Sequence, residues 1–335
     1  MKTVNRNVRN QLSSLVKKYG TPLFLISKSR LLNQVKRFRT LLPRVTPFYA
    51  VKANSHPFVI KTMVQAGTGF DVASVQEIEA VLKFKVKPDS IIYANTVKTP
   101  DALLFAARKK IELMTFDNEY ELNKIAKYAP KAKVLLRIKV PNVGSIVELS
   151  LKFGAEPADA IPLLIKSLQL GLRPIGISFH VGSQCLNVEN YFDALEMVSI
   201  IFNDARLKNI PLEILDIGGG FPIKHFDNEK DPFLAMSSAI SKEIDRLIPP
   251  NIKIISEPGR ILVGPACFLV MRVIGKSIRG NKHWYYLDDG VYGTLSGIVY
   301  DHCKYQYKTL RKGFAQITTL AGPTCDSFDI ISVSE

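Results

Sequence analysis

The chain has 335 residues, 47% of them apolar and 22% charged, and its 45 Lys and Arg against 30 Asp and Glu give a formal charge of +15. That length exceeds the usual ceiling of about 250–300 residues for one hydrophobic core, so one large domain and a smaller one are expected. No apolar run reaches the roughly 18 residues that a bilayer requires and the N-terminus is polar, so no membrane span or secretory signal is visible and a cytoplasmic protein is expected.

The basic side chains are scattered, as in "KSRLLNQVKRFR", without interleaved aromatics. They read as solvated helix faces, so neither nucleic acid nor a membrane surface is expected as a partner. Cys185, Cys267, Cys303 and Cys325 form no CxxC pair, which predicts free thiols and no metal site.

From the N-terminus, "PLFLIS" reads as a strand. Eight further β-rich runs follow, each ending in residues able to do chemistry: "PFYAVKAN" (47–54), "GFDVAS" (69–74), "IIYAN" (91–95), "LMTFD" (113–117), "KVLLRI" (133–138), "IGISFHVGS" (175–183), "LEILDIGGG" (212–220) and "IKIISEPGR" (252–260). Stretches such as "VQEIEAVLKF" and "AIPLLIKSLQLG" between them carry apolar residues at helical spacing, several closed by Gly or Pro. This alternation predicts an α/β fold with a (β/α)8 TIM barrel over residues 28–262. Residues from 263 onward, including "FLVMRVIGKSIRG" and "KHWYYLDDGVYG", give strand and turn signals without helices. They predict an antiparallel β domain built from 1–27 and 263–335.

In such a barrel the C-terminal strand ends form the active site. Lys52, Asp71, Asn95, Asp117, Arg137, His180, Gly218 to Gly220 and Glu257 to Arg260 are therefore expected at one mouth. Read at a period of two, Phe48, Ala50, Lys52 and Asn54 share one strand face, which places an amine among apolar residues. Taken alone, such a lysine snorkels to water. In a dry barrel mouth, desolvation is expected to lower its pKa and make it nucleophilic.

"LDIGGGFP" and "EPGR" follow the seventh and eighth strands, whose loops commonly bind phosphate in this barrel. A phosphate site, a lysine and the acid Glu257 together suggest pyridoxal phosphate (PLP), with Lys52 as the Schiff-base lysine and the acid paired with the pyridinium nitrogen. His180 reads either as a core histidine or as a ring stacked on the cofactor.

In this order, "YAVKAN", "FDVAS", "HVGSQ", "GGGFP", "EPGR", "DDGVYG", "YDH" and "GPTCDSFD" resemble the fold-type III PLP-dependent decarboxylases of basic amino acids, most closely the ornithine decarboxylase branch. The resemblance implies an alanine racemase-like architecture. Lys52 then matches the Schiff-base lysine, Asp71 and Arg137 the polar residues beside it, and His180 the ring stacked on the pyridine. Ser183, Gly218, Gly219, Gly220, Gly259 and Arg260 match phosphate ligands, and Glu257 matches the acid that keeps the ring nitrogen protonated. Cys325 and Asp326 match groups contributed across a homodimer interface, the thiol protonating the α-carbon and the carboxylate holding the distal ammonium. Tyr300 and Asp301 match substrate-binding residues, Asp301 being the second carboxylate for that ammonium.

The implied reaction is decarboxylation of L-ornithine to putrescine in polyamine biosynthesis. The alternatives are a broader lysine/ornithine decarboxylase, a Schiff-base aldolase without cofactor, and a catalytically impaired regulator resembling the antizyme inhibitors. "CDS", where the diaminopimelate relatives carry "CES", favours ornithine or lysine. Family members continue some tens of residues past "CDSFD" with further strands and a "GAY" segment. The sequence ends at Glu335, so the β domain is expected to be incomplete.

Overall fold

The computed structural model describes residues 2–3, 6–145, 152–310 and 316–333. Parts of the predicted "KTLRK" and "AQITT" stretches and the last two residues lie outside the described residues. The chain divides into two compact units, residues 27–224 with 230–266, and residues 1–26 with 225–229 and 267–335. Residues 225–229, assigned by sequence to the barrel, group with the second unit.

After the short strands β1 (Lys2–Thr3) and β2 (Leu23–Ile26) come the eight strands of the first unit. They are β3 (Val45–Ala50), β4 (Gly69–Val72), β5 (Ile91–Tyr93), β6 (Leu113–Phe116), β7 (Lys133–Arg137), β8 (Arg173–Ser178), β9 (Ile214–Asp216) and β10 (Lys253–Ser256). Every neighbouring pair is parallel, and β10 returns to β3 through Ile254 opposite Val45, closing the barrel. Each predicted run overlaps one strand, β3 and β8 beginning two residues before their runs, and the strands are shorter than the runs. The polar residues lie near the strand ends or in the turns beyond them.

Strands buried on both faces need continuous apolar sequence, and Gly69–Val72 is buried at every position. Phe48, Ile92, Leu135, Ile175 and Ile255 form one core cluster. The outer helices start where their sequences allow. Ser74, Thr99, Asn118 and Asp231 cap helix N-termini by accepting backbone N–H bonds, and Pro57, Pro100 and Pro232 occupy first-turn positions where no N–H is needed.

In the second unit β2 pairs antiparallel with β11 (Cys267–Val270), and β1 pairs parallel with β14 (Lys308–Thr309). A four-stranded sheet runs β12 (Val273–Arg279), β13 (Lys282–Leu287), β15 (Thr318–Ala321), β16 (Ile330–Ser332). Its outer pairs are antiparallel and its central pair parallel. Leu287, Leu295, Leu320 and Ile331 form its core. This unit also carries helices Arg6–Tyr19 and Gly297–Tyr300, which the sequence reading did not include. Among the described residues no helix is long and apolar enough to cross a membrane.

Gly176 on β8 lies so close to the Ile214 carbonyl of β9 that an added Cβ would overlap it. Gly176→Ala is expected to destabilise the barrel by roughly 1–3 kcal/mol, read as a lower midpoint in chemical denaturation. An unchanged midpoint would show that the seam between β8 and β9 yields.

Candidate active site

The first functional group follows β3. The period-two reading places Lys52 on a strand, but β3 ends at Ala50 and residues 51–53 form a 3-10 turn. The Ala50 N–H still bonds the Pro258 carbonyl (3.2 Å), and the chain then leaves the ladder as the Asn54 N–H closes onto Val51 (3.1 Å). Lys52 consequently projects from a turn, with its side chain 60% exposed. Its Nζ lies 3.6 Å from Asp71 Oδ2, an oxygen buried at the end of β4 with no hydrogen-bond donor.

This overturns the expected pKa shift. The Asp71 charge, the largest influence, raises the Lys52 pKa above its usual value, and desolvation is only the opposing second effect. The amine is held as an ammonium. Asp71 is raised in turn by burial, with Lys52 pulling it back.

Around this pair the strand ends bring the remaining groups. Arg137, at the end of β7, stacks on Phe153 at 5.0 Å, and its pKa is lowered first by burial while Glu257 opposes the shift. His180 lies beyond β8, where its Nδ1 accepts the Gly182 N–H at 3.0 Å, leaving the ring proton to Nε2. Burial, then Arg137 and Lys52, hold its pKa well below the usual histidine value, so the imidazole is neutral at pH 7. Ser183 is half-buried in the same loop.

The three glycines after β9 explain themselves sterically. Gly218 and Gly220 have φ of +64° and +91°, a region that disfavours other residues, and Gly219 leaves no room for a Cβ. That atom would come within 2.6 Å of the Glu257 carbonyl and 3.2 Å of His180 Nε2. Phe221 anchors the loop, its ring 5.1 Å from Phe38, 5.5 Å from Phe233 and 5.7 Å from Tyr191. Gly259 likewise closes on the lysine turn, where a Cβ would meet Ala53 at 2.9 Å and Ala50 at 3.4 Å. Arg260 begins the short helix Arg260–Val263. The "EPGR" loop and the Lys52 turn are thus packed directly together.

Glu257 is buried, and desolvation with the neighbouring Asp216 raises its pKa well above the ordinary glutamate range. Asn95 donates to the Ala73 carbonyl (3.4 Å). Asp117 accepts the Gly154 N–H (3.0 Å).

Several participants were missed by sequence reasoning. Glu77 accepts the Ala73 N–H at 2.7 Å and its charge reaches both Asp71 and Lys52. Its signal was the capping box "SVQE". Gln184 holds both sides of the glycine loop, donating to Phe221 O (3.1 Å) and accepting from Ile223 N (3.0 Å).

The other candidates belong to the second unit. Cys325 and Asp326 are exposed on one turn, with Asp326 Oδ2 accepting the Tyr292 hydroxyl at 2.7 Å. The Phe328 N–H and then Tyr292 lower the Asp326 pKa. Tyr300 is exposed at the end of its helix and Asp301 caps it.

The amine opposite a carboxylate, the buried acid and the glycine cradle form a donor set that fits an aldehyde, a ring nitrogen and a phosphate. Residues 28–264 match the family model for the pyridoxal binding domain of pyridoxal-dependent decarboxylases. The chain belongs to that family. Its cofactor is pyridoxal phosphate. Among its relatives, the lysine/ornithine decarboxylase of Selenomonas ruminantium is 40% identical over 321 residues, covering 96% of this chain and 81% of the relative. Ornithine decarboxylase of Schizosaccharomyces pombe is 38% identical, covering 92% and 73%. The crystal structure of the Paramecium bursaria Chlorella virus arginine decarboxylase superposes with a TM-score of 0.92 at 33% identity, covering 98% of this chain and 90% of that one.

Because Asp71 is the main influence raising the Lys52 pKa, Asp71→Asn is expected to lower the pH at which the amine loses its proton. The pH profile of Lys52 modification by an amine-directed reagent checks this, and an unshifted profile would show that Asp71 does not hold the ammonium.

Proposed function

We propose that this protein decarboxylates L-ornithine to putrescine, a step of polyamine formation, with L-lysine as a second substrate. The observation that carries the reading is the Lys52 amine facing Asp71 at 3.6 Å, packed beside the "EPGR" loop. When bound, PLP supplies an electron-withdrawing ring that accepts the electrons released as carbon dioxide leaves.

In this reading Lys52 would be the amine that holds the cofactor's aldehyde, with Asp71 and Arg137 fixing the charge around it. His180, neutral, would pack against the ring, Ser183, Gly218 to Gly220, Gly259 and Arg260 would hold the phosphate, and Glu257 would meet the ring nitrogen. The barrel of 28–262 acts as the cofactor domain, and the β domain of 1–27 and 263–335 supplies the remaining groups in a cytoplasmic homodimer with shared active sites.

There Cys325 returns a proton to the α-carbon, while Asp326 and Asp301, beside Tyr300, bind the distal ammonium. Two carboxylates suit a diamino acid and penalise a neutral side chain that leaves them without a cation. The lowered pKa of Asp326 keeps it ionised for this purpose.

Carbon dioxide release from ornithine, lysine and arginine in the presence of PLP tests the reading. Ornithine is expected to exceed lysine by about 10-fold or more, the discrimination that one methylene allows. Lys52→Ala should abolish release, and Asp326→Asn should lower kcat/KM for ornithine by roughly 10²-fold by leaving the ammonium short of a charge partner. Preference for arginine would overturn the substrate assignment, and PLP binding without carbon dioxide from any substrate would favour the regulatory alternative.

A further inference from the structure

One buried acid in the barrel has no part in the reading above. Asp216, the last residue of β9, is fully buried and stands opposite Ile255 in the ladder, two residues before Glu257. Its Oδ1 accepts the Gly218 N–H at 2.9 Å, while the Gly218 carbonyl accepts the Glu257 N–H at 2.7 Å. One glycine therefore bridges both acids through its backbone. The second oxygen, Asp216 Oδ2, is buried without a donor, and the Glu257 side chain is a hydrogen-bonding neighbour of the Asp216 side chain.

Two carboxyl groups can hydrogen-bond only when one carries a proton, and two buried carboxylates side by side repel. We propose that Asp216 is a positioning residue for Glu257, the two carboxyls sharing one proton so that Asp216 fixes where the Glu257 carboxyl points. The inference rests on the reading that Glu257 receives the cofactor's ring nitrogen.

The surroundings agree with a pair that retains a single proton. Burial raises Asp216 to about 6, and Glu257 is raised well above the ordinary glutamate range, through burial first and Asp216 next. The other charges facing the pair are Asp71, which opposes further ionisation, and Lys52 and Arg137, which favour it. Two cations against three acids leave room for one shared proton. A structural role alone would require only the Gly218 bond, which an amide also makes.

The test compares wild type, Asp216→Asn, Asp216→Leu and Glu257→Gln. Each is freed of PLP, checked by thermal melting, examined by infrared spectroscopy and titrated with PLP from about pH 6 to pH 9. Asparagine keeps the Gly218 bond and offers Glu257 an N–H that needs no proton. Asp216→Asn should therefore fold and bind PLP within about threefold of wild type near pH 6, yet lose the infrared band of a protonated buried carboxyl, as should Glu257→Gln. Its PLP affinity should also fall less steeply with rising pH than that of wild type, because no shared proton remains to be lost. Asp216→Leu, which removes both bonds, should weaken PLP binding by about tenfold or more.

A protonated-carboxyl band retained in Asp216→Asn, or a pH profile unchanged from wild type, would overturn the proposal. So would an Asp216→Leu protein that binds PLP like wild type. If Glu257→Gln binds PLP as tightly as wild type while both variants lose the band, the proton-sharing pair stands and the placement of Glu257 at the ring nitrogen falls.

Discussion

The ion pair between Lys52 and Asp71 organises the mouth of the barrel. Its partners come from the turn after β3 and from β4, and Asp71 is buried with one oxygen that has no hydrogen-bond donor and faces the ammonium. Removing a single partner from such a pair leaves an unpaired charge in a poorly solvated place, which is far costlier than the pair is stabilising. The lysine is consequently kept at one spot although most of its side chain is exposed. An ammonium held near a receptive site, and not a desolvated neutral amine, is the resting state. Its activation therefore depends on what replaces Asp71's attraction once a ligand brings its own charges.

A second constraint is backbone crowding opposite that pair. Gly218, Gly219 and Gly220 are pressed against His180 and Glu257, and Gly259 against the Lys52 turn, so the loops after β9 and β10 converge because they lack side chains. Phe221 pins one of them into an aromatic cluster with Phe38, Phe233 and Tyr191. Stiff loops with exposed backbone suit a phosphate, and the acids set behind them suit a ring nitrogen. The charges at the mouth also act as one set: Lys52, Asp71, Arg137, Asp216 and Glu257 each influence the titration of several of the others.

The barrel was legible because parallel strands covered on both faces must be written as unbroken apolar runs, and each ended where the mouth begins. The glycine loops were legible for the same reason that they are needed, since few other residues tolerate φ near +64° or +91°. What escaped was local. Period-two counting carried β3 past Ala50, because nothing in "AVKAN" announces that the chain closes a 3-10 turn with the Asn54 N–H on Val51. The sign of the Lys52 pKa shift escaped for another reason: desolvation was weighed without the Asp71 charge, which outweighs it. Asp216 escaped because it ends an apolar strand, and its buried carboxyl has meaning only beside Glu257, forty-one residues later. The helix Arg6–Tyr19 was overlooked because its polar composition drew the eye away from apolar spacing at Val8, Leu12 and Leu15.

The account stands on the identity of one amine. Reducing the PLP-loaded protein with borohydride and mapping the modified peptide by mass spectrometry reports directly which lysine carries the cofactor. The account predicts a pyridoxyl group on the peptide containing Lys52. Its main competitor is Lys98, fully buried, lowered to about 8 chiefly by burial, and engaged by Asn95 O, Thr115 O and Glu121. A label on Lys98, or a loaded protein whose Lys52 peptide stays unmodified, would contradict it.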